Sequence, residues 1–145
     1  MASSAYAVAL VDVLDVTQLA LDLTAAGNKV ALFTNTLTPN FLTDSGFASA
    51  PYNANQVTSA NYTAGGLVIA SPTWVAAGAA PVITYDLADS AWNPVTFTAR
   101  RAIYYADGLA GKNVYYCLDF GSDFTATTGP FTIVYDVLGL FTWTL

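Results

Sequence analysis

The sequence predicts a mainly β chain, an antiparallel β-sandwich or a barrel-like relative of one, and three observations predict it. The palette is rich in Thr, Val, Tyr and Phe, which suit pleated, half-buried surfaces. Short β-rich runs recur along the C-terminal half, divided by Gly, Pro, Asn and Asp. All ten acids are Asp and there is no Glu, and short carboxylates favour turns and strand ends over helix surfaces. A chain of 145 residues fits one domain, 1–145, able to bury roughly 70% of its unfolded surface.

The elements follow in order. "AYAVALVDVLDVTQLALDL", residues 5–23, suits one short N-terminal helix through Val8, Leu10, Val11, Leu14 and Leu19, or strands through Val11, Val13 and Val16, and the choice stays open. Segment 1–17 is also a candidate docking arm. "AAGN" at 25–28 is turn chemistry, and "KVALFT" at 29–34 alternates as a strand with Val30 and Leu32, or Ala31 and Phe33, toward the core. From Asn35 to Gly66 a polar stretch, rich in Asn and Thr, is too long for an idle connection. It is the expected place for specific contacts. Strands then read at 67–70, 81–87, 94–106, 112–120, 129–136 and 140–145, with turns at Ala76–Ala80, Asp89–Asn93, Asp107–Gly111 and Gly121–Gly129. Gly65 and Gly66 read as a turn or bulge before Leu67.

Charge excludes several functions. Charged residues are 10% of the chain and the net charge is −6, with only Lys29, Arg100, Arg101 and Lys112 basic. A phosphate-binding face needs clustered cations, so nucleic acid is not an expected partner. Hydrophobic residues make up 54%, so another protein chain is expected to cover part of the apolar surface. Without His the chain lacks the usual base for Ser-His-Asp or Cys-His chemistry, and with one Cys it lacks a Cys/His zinc set. No enzyme activity, metal or cofactor is expected. The pairs Asp86/Asp89 and Asp119/Asp123 show no full set of alternating calcium ligands and read as turn-forming, solvated Asp. Cys117, among Tyr115, Tyr116 and Leu118, reads as a small buried hydrophobe. Trp74, Trp92 and Trp143 read first as core filling, with stacking on sugar as the rival. The first residues lack the basic region of a signal peptide, and no apolar run reaches the ~18 residues of a membrane span, so no membrane is expected.

"FTARRAIYYADG", Phe97–Gly108, places both arginines at the head of an apolar, aromatic run. On a regular strand Arg100, Ala102 and Tyr104 share one face, and Arg101, Ile103 and Tyr105 the other. Both arginines then cap the end of a long strand, stacking on tyrosines and pairing with an Asp such as Asp86 or Asp89. The sharper alternative makes them inter-subunit anchors, because Arg and Tyr carry much of the binding energy at interfaces. On that reading the interface candidates are Arg100, Arg101, Tyr104 and Tyr105, joined by Phe41, Phe47, Tyr52 and Tyr62.

Five ordered signals carry a resemblance: Asp22 with Lys29–Leu32, the "YTAGG" of Tyr62–Gly66, the "TARRAIYY" of Thr98–Tyr105, the "DFGSD" of Asp119–Asp123, and the "FTIVYDVLG" of Phe131–Gly139. In that order, over residues 18–145, the chain resembles a family of small virion proteins encoded among the structural genes of tailed bacteriophages. The apolar Ala5–Leu14 segment and the 35–61 excursion depart from the family pattern. The resemblance implies a capsid decoration or minor capsid protein, made in the host cytoplasm and carried on the capsid surface. Its implied partners are the major capsid protein and neighbouring copies of itself, as a homo-oligomer such as a trimer. The alternative it implies is a tail- or fibre-associated protein that binds host-surface carbohydrate.

Overall fold

In the computed structural model, which describes residues 3–14, 20–77 and 82–144, the expected β chain is built around two long strands. The chain runs through β1 (Ser4–Ala5), α1 (Ala7–Leu14), β2 (Lys29–Phe33), β3 (Leu67–Val68), β4 (Thr73–Ala77), β5 (Val82–Asp86), β6 (Ser90–Tyr105), β7 (Val114–Ile133) and β8 (Phe141–Thr144). A five-stranded sheet has the order β1-β7-β6-β2-β3, a three-stranded sheet has the order β4-β5-β8, and neighbours in both pair antiparallel. The fold is therefore mainly β, with two antiparallel sheets. Aromatic rings join them: Tyr85 of β5 meets Tyr115 of β7 edge-on at 6.4 Å, and Phe141 of β8 stacks on Tyr116 of β7 at 4.8 Å.

Residues 7–14 settle the open N-terminal choice as a helix, while 15–19 lie outside the described residues. Segment 3–14 lies on the chain's own body: Ser4 and Ala5 pair with Cys117 and Tyr116, and Tyr6 is fully buried with its hydroxyl against that of Tyr52. In β2 Val30, Ala31, Leu32 and Phe33 are all fully buried, so the alternation read from sequence separates two covered faces rather than core from water.

Three expected boundaries are corrected. Thr73–Ala77 is strand β4, where a turn was expected from Ala76. Asp89–Asn93 is no turn, because β6 begins at Ser90 and runs through Pro94; the pairing register shifts between Trp92 and Val95, so the missing N–H of proline falls at an irregularity. Gly121–Gly129 is no turn either, and β7 passes through it by irregularities at Phe120–Asp123 and near Thr128. Gly121 (φ 78°) and Thr128 (φ 50°) take the left-handed backbone that these require.

The 35–66 excursion covers β2. Thr34 N–H donates to Asn55 O, Val57 N–H to Leu32 O, and Leu32 N–H to the Tyr62 hydroxyl, which occupies polar groups that β3 leaves free along that edge. Its apolar side chains turn inward, with Phe47 stacked on Tyr105 at 3.8 Å and Tyr62 edge-on to Phe97. Gly66 lies so close to the Val30 carbonyl that a Cβ there would overlap it.

Candidate interaction surface

The two arginines reach one carboxylate because the β6–β7 pair is irregular beside them. Between the pairs Ala99↔Phe124 and Arg101↔Asp119, β6 advances by two residues and β7 by five, so Phe120–Asp123 bulge out. Regular alternation would send Arg100 and Arg101 to opposite faces; the bulge brings Asp119 within reach of both. Arg100 Nε lies 2.9 Å from Asp119 Oδ1 and Arg101 Nε 3.0 Å from Oδ2, with the Asp119 side chain 1% exposed. Gly121 N–H donates to Asp119 Oδ1 at 2.8 Å. Arg101 Nη1 also donates to the Leu37 and Asn35 carbonyls, and Asn35 Nδ2 donates to Asp123, whose carboxylate is 3.8 Å from Arg100. Burial alone would push the Asp119 carboxyl up; the Gly121 N–H and both guanidiniums outweigh it and hold it below the ordinary carboxylate range.

This arrangement corrects the expected partners, since the arginines sit inside a strand and pair with Asp119 and Asp123 rather than with Asp86 or Asp89. Lys29 and Lys112 share Asp107 in the same manner, at 2.7 and 2.8 Å. Their ammonium groups hold its carboxyl below the ordinary range. All four basic side chains are thus drawn into two clusters, each of two cations on one Asp. Two remaining acids shape turns, Asp22 accepting from Thr24 N–H and Asp136 from Leu138 N–H, while Asp89 accepts from Tyr135 N–H across the fold. No group of three or more potential metal-ligating side chains occurs among the described residues.

The aromatic interface candidates are placed largely in the core. Tyr52, Tyr104 and Tyr105 are fully or almost fully buried, Phe47, Tyr62 and Arg101 nearly so, while Phe41 and Arg100 are half-buried. Their apolar area is spent within the chain, which removes those six as surface anchors. Cys117 is buried as expected, and burial pushes its thiol up to about 12. Trp92 is core, and half-buried Trp74, Phe141 and Trp143 cluster over the fully buried Tyr85.

A different surface is open, one that the sequence reading passed over. Between the β7 bulge and the end of β7 lies an apolar trough of about 460 Å³, walled by Leu118, Phe120, Phe124, Phe131, Ile133 and Val134. Phe120 stands edge-on to Phe124 at 6.0 Å and 5.9 Å from Phe131. Leu118, Ile133 and Val134 also wall a second hollow of about 200 Å³ that continues toward Asp136 and Leu140. Phe124 is 50% exposed and Val134 71%; just beyond, Val137 and Leu138 stand out at 91% and 60%. The available signal was the glycine inside "DFGSDF", which in a strand marks a bulge and here brings Phe120 and Phe124 together. Among the described residues no helix is long and apolar enough to cross a membrane. No protein-family model, curated protein or solved structure matches this chain.

Proposed function

We propose that this chain is a non-enzymatic structural protein of a tailed-phage virion, a capsid decoration or minor capsid protein that docks on the assembled head beside neighbouring copies of itself. The observation that carries the reading is the Arg100–Arg101–Asp119 cluster. Its residues come from the "TARRAIYY" and "DFGSD" stretches, two signals of the virion-protein resemblance, and they face each other across β6 and β7. The cluster locks β6 to β7, a structural use of these residues, and neither of its guanidiniums is left unengaged to work on a substrate. A head-binding protein works by burying apolar surface between subunits, which favours the assembled lattice over its free parts. The chain as a whole is acidic, with a net charge of −6, and that suits the outside of a capsid better than a DNA-filled interior.

The fibre alternative would use the 35–61 excursion with exposed Trp or Tyr; the excursion's one tyrosine, Tyr52, is fully buried, and the neighbouring Tyr62 and Trp92 are buried too. The test is immunogold labelling of particles released by a host carrying this gene. Label over the heads is expected; label confined to tails refutes the decoration reading.

A further inference from the structure

We propose that Asp107–Gly108 is a self-modification site of this chain, a step at which the Gly108 amide closes on the Asp107 side chain to give isoaspartate, and that Lys29 and Lys112 hold it shut.

The chemistry needs no partner molecule but water. The Gly108 nitrogen bonds to Cγ of Asp107; its proton and the carboxyl OH leave as water, and a succinimide ring results. Water then opens the ring. When it adds at the main-chain carbonyl, the chain continues through the side-chain carboxyl, with no net change in mass. The protonated carboxyl is the reactive form, because a carboxylate would have to expel a far poorer leaving group. Glycine in second place matters too, since it brings no side chain to obstruct the approach. Asp107–Gly108 is the sole Asp–Gly or Asn–Gly step in the sequence.

The amide side of this step is open. Gly108 is exposed, and a Cβ built on it would meet nothing within 4 Å. The hydrogen bonds that close the turn are donated by the N–H groups of Ala106, Leu109 and Lys112, not by that of Gly108. The carboxyl side is closed. Lys29 Nζ lies 2.7 Å from Oδ2 and Lys112 Nζ 2.8 Å from Oδ1, so both oxygens are tied to cations, one on β2 and one in the turn. Two ammoniums on one carboxyl favour its ionised, unreactive form and hold its oxygens to fixed partners. Lys112 takes the left-handed backbone (φ 47°) that glycine adopts without strain, so an uncommon conformation places this second ammonium.

The turn so guarded is also where the excursion is fastened. Phe47 N–H donates to Lys112 O, and Val114 N–H to Ser45 O. An extra backbone carbon at residue 107 would displace both bonds.

The test is isoaspartate at residue 107 in the purified full chain after several weeks at neutral pH, read by an isoaspartate-specific methyltransferase and by electron-transfer fragmentation of the peptide. Folded wild type should accumulate it more slowly than the same chain in urea. Lys29→Met and Lys112→Met should each speed accumulation about two- to fivefold, the weight of one part-exposed ion pair, and the double variant more than either. Circular dichroism and melting curves establish that these variants are folded; Lys112 is 43% exposed, so its replacement leaves the core alone. Lys112→Arg keeps a cation and should stay near the wild-type rate. Gly108→Ala, added to the double variant, should slow it again and so assigns the attack to the residue 108 amide. Folded lysine variants no faster than wild type, or wild type as fast folded as in urea, would overturn the proposal.

Discussion

Replacing Asp119 with Asn removes the one carboxylate that both arginines share while keeping its size and its acceptor for Gly121 N–H. The loss is therefore almost wholly electrostatic. Taking away one member of a buried ion pair costs about 3–5 kcal/mol, because the remaining charge is left without compensation. Two cations are left here, but Arg100 is 23% exposed and water screens part of its share, whereas Arg101 at 8% is shielded. We therefore expect the low end, about 3 kcal/mol, or a fall in Tm of roughly 10 °C for a domain of this size. Asp123→Asn is the control: at 3.8 Å from Arg100 and 41% exposed, it should cost under about 0.5 kcal/mol. Urea unfolding followed by tryptophan fluorescence, with calorimetry for Tm, measures both. The pH dependence has a defined sign. Asp119 is held below its ordinary range when folded, so its contribution is complete above the unfolded-state value of about 3.9 and disappears as pH falls through the lower folded-state value. The wild type should lose stability in acid below about pH 4 more steeply than Asp119→Asn. Equal stability of the two proteins at pH 7 would refute the clamp.

Other outcomes follow from burial and close approach. All nine tyrosines are pushed above their ordinary value, chiefly by burial, Tyr62 and Tyr85 to about 12. Folding free energy should thus begin to fall above about pH 10, where the unfolded chain ionises first, and tyrosinate absorbance should rise together with unfolding rather than before it. An absorbance titration with half of the rings ionised near pH 10 in folded protein would contradict that burial. Gly66→Ala sets a Cβ against the Val30 carbonyl and should prevent a stable fold, whereas Gly121→Ala, with a similar positive φ but open space around it, should cost only about 1–2 kcal/mol. Comparable thermal melts for the two variants would refute the close approach of Gly66 to β2.

How much was legible in the sequence differs from element to element. The run at 29–34, the one at 82–86 and the C-terminal Phe141–Thr144 were all readable, because each is a short β-rich segment bounded by turn residues. The β6 and β7 strands were read in pieces. Local chemistry assigns Asp89–Asn93 and Gly121–Gly129 to turns, and within the pair the stretches at Trp92–Val95 and Gly121–Gly129 become irregularities of long strands. Six of the eight interface candidates are buried for a related reason: aromatic residues are favoured both in contacts and in cores, and only the packing of the excursion over β2 decides that Tyr52, Tyr62 and Phe47 are core.

Composition and turn punctuation by themselves determined a mainly β chain whose few cations have to find acids nearby, since unpaired charge is costly among so many apolar side chains. Which acids those are, and which apolar side chains stay outside, was decided by the tertiary structure. Strand period assigns Arg100 and Arg101 to opposite faces, and only a bulge formed against a partner strand brings Asp119 to both and sets Phe120 beside Phe124 at the surface. A bulge is a relation between two strands, so neither stretch contains it alone.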